Sequence, residues 1–256
     1  MNIKFIGSGS GSASLKRNHS SFIIDSGDYI LLIDTGDGIS KALLSQDFGF
    51  DKINGIIISH LHPDHFSGLP ALLAQMKLLN RKNELDIFIN QAVVEFVKRF
   101  LIQSYIFFER MGFEINFKVF GDAEKFQVSG NLSYYSKQNS HLEKYKLYDT
   151  ENIVKFSCSS FLFEVKDQLV FYTGDIGLKE DLYLFEEKNI SVIISEVSHV
   201  PYEDIVSAFL KQKAEKLILT HIDDGSEEEI RSFFNSAKNK YGKEIIVAYD
   251  GLEVSL

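Results

Sequence analysis

The run His60-Leu61-His62-Pro63-Asp64-His65 is the densest chemical feature of this sequence, and it decides how the rest is interpreted. It directly follows Gly55-Ile56-Ile57-Ile58-Ser59, an apolar, β-branched stretch that predicts a buried strand. Three imidazoles and a carboxylate in the loop after such a strand need polar partners, because these groups are costly to bury alone. A metal ion is the partner that suits this set of side chains.

The spacing within the run predicts two adjacent metal sites. His60 and His62 are two residues apart, so in an extended segment their side chains point the same way and can share one ion. Pro63 bends the chain, and Asp64 and His65 after it can face a second ion.

The pattern His-x-His-x-Asp-His resembles the hallmark of the metallo-β-lactamase-fold hydrolases, and positions 60–65 carry it in full. The resemblance implies an α/β fold in which four layers form an αβ/βα sandwich. It also implies later ligands, each after an apolar strand: His141, Asp175 and His221. The resemblance implies that the first metal is bound by His60, His62 and His141. It implies that the second is bound by Asp64, His65 and His221, and that Asp175 bridges both.

The N-terminal region carries the resemblance further. Phe5–Gly11 and Arg17–Ser21 resemble the opening of the ribonuclease Z and cyclic phosphodiesterase branch of the fold. In Leu32–Gly36 the resemblance assigns Asp34 a structural role, in which it supports the metal-binding loops. The glycines at 7, 9 and 11 do not have the spacing of a dinucleotide-binding loop, and no convincing helix follows them, so no nucleotide cofactor is expected.

His199, with Glu196 upstream, occupies a place where the ribonuclease Z branch has a histidine thought to protonate the leaving group. Here only two residues separate the Glu from the His, a shorter segment than in that branch. Expelling an alkoxide at neutral pH needs a proton donor, and histidine titrates in that range. We therefore expect His199 and Glu196 to be catalytic, with a purely structural His199 as the alternative. Asp64 is expected to orient the attacking hydroxide in addition to binding metal, and His19 is open between a pocket role and a structural one.

The rest of the chain alternates short β-rich runs with helical stretches, without a Pro- or Ser-rich linker, which predicts one domain over residues 1–256. The predicted strands are Ile3–Ile6, Phe22–Asp25, Ile30–Ile33, Ile56–Ile58, Leu132–Tyr135, Ser160–Val165, Leu169–Tyr172, Val192–Ile194, Leu217–Leu219 and Ile245–Ala248. The predicted helices are Leu69–Leu79, Ala92–Glu109, Glu203–Lys213 and Glu227–Lys240, and the polar stretch Lys144–Asn152 is expected to be a surface loop.

Composition limits the compartment and the partners. Cys158 is the single cysteine, which excludes an internal disulfide and a cysteine-rich zinc site. The N-terminus reaches Gly and Ser too soon for a signal peptide, and no apolar run approaches the ~20 residues of a membrane span, so we expect a cytoplasmic protein without membrane association. The net charge of −9 repels polyanions and argues against a long nucleic-acid substrate. The apolar stripe of Ala92–Glu109 is compatible with a homodimer.

The resulting prediction is a hydrolase with two divalent metal ions that acts on a small phosphodiester or cyclic nucleotide through a metal-bridging hydroxide. Zinc is the expected metal for a His-rich site, and manganese and iron are alternatives. Asp223 and Asp224 stand where the ribonuclease Z branch would carry a Ser and often an Arg. Two acidic residues beside a phosphate-binding site are a departure from the pattern of that branch. The alternatives are a thioester or lactone hydrolase on the same metal centre, and a non-catalytic metal-binding sensor or scaffold.

Overall fold

Two seven-stranded sheets lie face to face between outer helices in the computed structural model, which describes residues 2–256. The strands are β1 (Asn2–Gly7), β2 (Ser21–Asp25), β3 (Ile30–Ile33), β4 (Gly55–Ile57), β5 (Leu85–Asn90), β6 (Ile115–Phe120), β7 (Lys125–Gln127), β8 (Leu132–Gln138), β9 (Ser159–Val165), β10 (Gln168–Tyr172), β11 (Val192–Glu196), β12 (Lys216–Thr220), β13 (Glu244–Val247) and β14 (Glu253–Ser255). The α-helices are α1 (Ile39–Ser45), α2 (Pro63–Phe66), α3 (Leu69–Leu78), α4 (Val94–Gln103), α5 (Tyr202–Lys211) and α6 (Glu227–Tyr241).

The two sheets have related strand orders. The first runs β14-β1-β2-β3-β4-β5-β6 and the second β13-β12-β11-β10-β9-β8-β7. Strands β3 to β6 are parallel in the first sheet, and β10 to β13 are parallel in the second. The loops that leave the carboxyl ends of parallel strands meet at one edge of a sheet, which is where α/β proteins place their sites.

Three apolar cores separate the layers. One lies between α1, α3, α4 and the first sheet, one between the two sheets, and one between the second sheet and α5 and α6. The middle core is rich in aromatic side chains, for example Phe22, Tyr134 and Phe161, each fully buried. The order helix, sheet, sheet, helix confirms the predicted four-layer α/β sandwich.

The predicted helix Ala92–Glu109 is too long. Helix α4 ends at Gln103, where the Ser104 hydroxyl donates to the Phe100 carbonyl and Tyr105 adopts a positive φ of 61°. The left-handed residue stops the helix, and the chain continues as a separate 3-10 turn over Phe108–Arg110. The apolar stripe had suggested one continuous helix, because periodicity alone does not register a change of backbone direction.

The other predicted elements are present, and their ends differ from the observed bounds by at most three residues. Prediction missed helices α1 and α2 and strands β5, β6, β7 and β14. Within Lys144–Asn152 the expected surface loop is mostly a 3-10 segment, Glu143–Tyr148, and it is exposed apart from half-buried Asp149. Among residues 2–256 no helix has the length and apolar character needed to cross a bilayer.

Candidate metal centre

The predicted metal-binding side chains converge at one edge of the two sheets. The run His60–His65 follows β4 of the first sheet. His141, Asp175 and His221 follow β8, β10 and β12 of the second. These residues are up to 161 positions apart in sequence. They meet because the loops that carry them leave both sheets at the same edge.

The first group contains His60, His62, His141 and Asp175, whose ligand atoms all lie within 4.8 Å of one another. Nε2 of His141 is 3.2 Å from Nδ1 of His62. Two imidazole nitrogens at this distance must share a proton or a cation, because their lone pairs otherwise repel. The group thus has the composition and the spacing of a three-histidine metal site with a carboxylate.

The second group contains Asp64, His65, Asp175 and His221, again within 4.8 Å. Nε2 of His221 is 3.3 Å from Oδ2 of Asp64 and 3.3 Å from Oδ2 of Asp175. Nε2 of His65 is 3.4 Å from Oδ1 of Asp175. Asp175 belongs to both groups, so its carboxylate lies between them.

Several buried atoms in these groups lack a hydrogen-bond partner among residues 2–256. They are Nε2 of His60, Nε2 of His65, Nδ1 of His141 and Oδ1 of Asp175, and their side chains are at most about 3% exposed. The 3.4 Å approach between His65 and Asp175 does not have the geometry of a hydrogen bond. Buried polar atoms without partners are rare, because each loses its hydrogen bonds to water and gains no protein hydrogen bond that compensates for the loss. The His and Asp clusters fit a dinuclear metal site, which would supply these partners.

In the first group the protonation states suit metal binding as well. Burial lowers the pKa of His60 and His62 and brings that of His141 to about 4, so these rings are neutral and have a free lone pair. Burial would raise the pKa of Asp175, but the neighbouring His221 and His65 outweigh it and lower the pKa. Neutral imidazoles and an ionised carboxylate are the forms that bind divalent metals. In the second group, burial would lower the pKa of His65, but Asp175 and Asp34 outweigh it and raise the pKa.

Asp34 holds the His60–His65 run in place through hydrogen bonds from Ser59 and His65. This fully buried carboxylate accepts from the Ser59 amide (2.7 Å), the Ser59 hydroxyl (2.8 Å) and Nδ1 of His65 (2.8 Å). The bond to Nδ1 turns Nε2 of His65 towards the second group, as is common for metal-binding histidines. Gly36 is required nearby, since a Cβ there would lie 1.9 Å from the Asp64 carbonyl oxygen. The structure thus gives Asp34 the supporting role that the resemblance implied.

Asp181 supports the two loops on the second sheet, and sequence reasoning missed it. Its carboxylate accepts from the Ser140 hydroxyl at 2.6 Å and from the Gly177 amide at 3.0 Å. Ser140 precedes His141, and Gly177 lies two residues after Asp175. One buried carboxylate thus ties together the loops that carry two of the clustered side chains. No local motif marks Asp181, since its partners come from separate loops.

His199 lies beside the clusters together with Glu196. Nδ1 of His199 is 3.3 Å from Oε2 of the buried Glu196, and its ring centroid is 4.7 Å from that of His141. Burial would lower the pKa of His199, but the nearby carboxylate of Glu196 outweighs it and raises the pKa. The residue is half-buried and faces the open side of the centre.

A pocket of about 480 Å³ lies over both groups, a volume suited to a small molecule. Its walls include residues that prediction did not single out as site residues: Tyr145, Tyr202, Ser10, Ser12, Ser198 and Ser226, along with Asp223. Tyr145 packs its ring edge-on to His62 at 5.6 Å, although the sequence had suggested a plain surface loop there. His19 is not on the pocket wall: its Nδ1 lies 2.8 Å from the Ser10 carbonyl oxygen, which indicates a structural role.

Comparison with known sequences finds ribonuclease Z proteins. The one from Methanococcus aeolicus is 27% identical over 314 aligned positions, which cover 100% of this chain and 98% of that protein. The one from Methanosarcina mazei is 32% identical over 105 residues, 41% of this chain. That match spans only about a third (34%) of the relative's length.

Solved structures share the fold at low identity. YhfI from Bacillus subtilis, a metallo-β-lactamase-fold protein, superimposes with a TM-score of 0.77 at 20% identity and covers 99% of this chain and 98% of its own. The short form of human tRNase Z gives a TM-score of 0.74 at 18% identity, covering 100% and 99%. A diphosphatase of the PhnP family gives 0.67 at 17%, covering 100% and 97%.

These matches confirm the predicted metallo-β-lactamase fold and the resemblance to ribonuclease Z proteins, and the His and Asp clusters fit the metal site of a metal-dependent hydrolase. Residues 1–239 also match a family described as "Anti-Pycsar protein Apyc1". Because the match extends over most of the 256 residues, the chain belongs to the Anti-Pycsar protein Apyc1 family.

Proposed function

We propose that this protein is a phosphodiesterase that hydrolyses a small phosphodiester or cyclic nucleotide at a dinuclear metal centre. The observation that carries the proposal is the pocket of about 480 Å³, which brings both metal-binding groups and His199 to one small cavity. A cavity of this size and polarity favours a small molecule over a long polymer. The ribonuclease Z relatives and the PhnP-family diphosphatase support phosphoryl chemistry.

We assign the metal ligands as the sequence predicted. His60, His62 and His141 bind one ion, Asp64, His65 and His221 bind the other, and Asp175 contributes to both. Five histidines and two carboxylates favour zinc, with manganese and iron as alternatives. Two bound ions would supply Lewis acidity and an activated water for attack on phosphorus.

The protein's own groups then have distinct roles. Asp64 lies on the pocket wall, where its carboxylate orients the attacking water. His199 lies on the same wall and donates a proton to the departing oxygen, while Glu196 keeps the ring oriented and favours its protonated form. The serine hydroxyls of the wall can hydrogen-bond to substrate oxygens.

A substrate panel tests the proposal and its alternatives. Metal-loaded protein is assayed on bis(p-nitrophenyl) phosphate, cyclic nucleotides, thioesters and lactones, with the chelated protein as control. We expect metal-dependent hydrolysis of the phosphodiesters. Turnover of thioesters or lactones alone would refute the phosphodiesterase and support the other hydrolase. No turnover of any substrate by fully loaded protein would support a non-catalytic sensor or scaffold.

A further inference from the structure

Asp223 is a pocket carboxylate that the metal centre does not use. Three aspartates line the pocket within residues 2–256, and two of them, Asp64 and Asp175, belong to the metal-binding groups. Asp223 belongs to neither group and lies two residues beyond His221. Its charge therefore faces the substrate cavity without an assigned partner.

The loop that carries Asp223 is held firmly against the N-terminal loop. The Ser10 amide donates to the Ile222 carbonyl at 3.1 Å, and the Ile222 amide donates to the Ser8 carbonyl at 2.9 Å. Oδ1 of Asp223 accepts from the Gly225 amide at 2.9 Å, and Oδ2 is 3.5 Å from the Ser10 hydroxyl. The carboxylate is only half-buried, so it carries the negative charge that an aspartate ordinarily has at neutral pH.

Among residues 2–256, no lysine or arginine lines the cavity to balance the charge of Asp223. The cations that the proposed function places in the pocket are protonated His199 and the ions of the metal centre. Arg17 is turned away and pairs with Glu227 at 3.1 Å. The ammonium of Lys144 lies 5.2 Å from the ring centre of Tyr145, the residue that packs on His62, and Lys144 itself does not line the cavity. The Asp223 side is therefore negative, and a second anionic group placed there would be repelled.

The neighbouring Asp224 provides a matched control. Its Oδ2 accepts from the Ser14 hydroxyl at 2.7 Å, and it does not line the pocket. Two consecutive aspartates thus differ in one respect that matters: one faces the cavity and the other binds a surface loop.

We propose that Asp223 is a specificity-determining residue that admits phosphodiesters whose flanking groups are neutral and excludes those with a second phosphate beside the scissile one. The inference rests on the proposed phosphodiesterase function and narrows its substrate class. It gives a physical reason why this site takes a small, singly charged diester and disfavours a polynucleotide, in which every neighbouring linkage is charged.

The test uses two chromogenic substrates that differ by one phosphate: thymidine 5′-(p-nitrophenyl phosphate) and its 3′-phosphorylated derivative. For metal-loaded wild-type protein we expect kcat/KM to favour the first by roughly tenfold, the scale of an unscreened like-charge contact near a surface. Asp223→Asn keeps an oxygen for the Gly225 amide and should reduce the preference to about twofold or less. Asp223→Ser should do the same, whereas Asp224→Asn should retain the wild-type preference.

Two further measurements separate charge repulsion from a change in structure. The wild-type preference should fall as salt rises, because ions screen the repulsion, whereas that of Asp223→Asn should not depend on salt. Calorimetric binding of thymidine 5′-monophosphate and thymidine 3′,5′-bisphosphate to the loaded proteins should follow the same order, independently of turnover.

An equal preference in wild type and Asp223→Asn, or a loss of preference in Asp224→Asn as well, would overturn the inference. If the wild type binds both nucleotides but hydrolyses neither diester, the proposed function fails, and the binding ratio alone decides the role of Asp223. If it neither binds nor hydrolyses them, both proposals fail.

Discussion

At the scale of single residues, the site depends on side chains whose environment changes their chemistry. The ring centroids of His199 and His141 are 4.7 Å apart, yet burial keeps His141 neutral while Glu196 favours the proton on His199. The same residue type is thus adapted to two tasks by its neighbours. This difference motivates a test that separates metal binding from proton donation.

We predict that His199→Ala retains its metal but loses activity selectively. With alkoxide leaving groups the proton donor is needed, and kcat should fall by about 10²-fold or more. With p-nitrophenolate, which leaves without protonation, the loss should be about tenfold or less. Metal content by atomic emission and paired kinetics on the two substrate types provide the measurement. An equal loss on both would rule out the proton-donor role.

We predict that Asp34→Asn weakens metal binding without unfolding the protein. The amide is isosteric and still accepts one hydrogen bond, but His65 loses the charged partner that orients its ring. The metal dissociation constant should rise by about 10–100-fold, as measured by competition with a chromogenic chelator. Asp28→Asn, on an exposed turn far from the centre, is the control and should bind as the wild type does. An unchanged constant for Asp34→Asn would contradict the supporting role.

At the scale of elements, the site is built by loops that follow strands, and these loops must be held in register. The loops after β8 and β10 carry His141 and Asp175. Ser140 in the first loop and Gly177 in the second donate hydrogen bonds to the carboxylate of Asp181. Gly177 also approaches this contact closely, since a Cβ there would lie 2.5 Å from the Ser140 carbonyl oxygen. The two loops therefore move as one unit, with Asp181 as their common anchor.

We predict that Asp181→Ala lowers the amount of metal retained per chain. Loss of the anchor leaves the Ser140 hydroxyl and the Gly177 and Leu178 amides without their acceptor, at a cost of about 1–3 kcal/mol in unfolding free energy. Metal retention after dialysis and chemical denaturation measure the two effects. Asp167→Ala, on the exposed turn between β9 and β10, should change neither. Full metal retention in Asp181→Ala would contradict the anchoring role.

At the scale of the whole molecule, the candidate centre joins the two sheets. The run after β4 belongs to the first sheet, whereas His141, Asp175 and His221 belong to the second. This junction brings five imidazoles and two carboxylates together, and several of their buried atoms have no hydrogen-bond partner among residues 2–256. Metal binding should therefore stabilise the packing of one sheet on the other.

We predict that removing the metal lowers the melting temperature by roughly 5–10 °C, the shift expected when a ligand at about a hundred times its dissociation constant is lost from a domain of this size. Differential scanning calorimetry with and without a chelator measures it. Asp175→Ala, which removes the carboxylate shared by both groups, should melt near the chelated wild type and respond little to added metal. A melting temperature indifferent to chelation would show that the centre does not tie the sheets together.

The sequence by itself determined the fold class, the seven candidate ligands and the strands that these ligands follow. It could do so because His60–His65 is a dense local motif that carries the resemblance, and because the resemblance implies His141, Asp175 and His221, each after an apolar strand. The interval Ala92–Glu109 was misjudged, since periodicity does not report where a backbone turns. Strands β5 and β6 were missed, although they complete one edge of the first sheet.

Only the tertiary structure decided which remaining side chains face the pocket. Asp223 and Asp224 are adjacent and chemically identical, yet one lines the cavity and the other binds Ser14. Tyr145 contacts His62 from a segment that the sequence predicts to be a surface loop. Asp181 joins two loops that are distant in sequence. A local pattern specifies what a residue can do. Long-range packing specifies which groups it meets, and that depends on how the two sheets align.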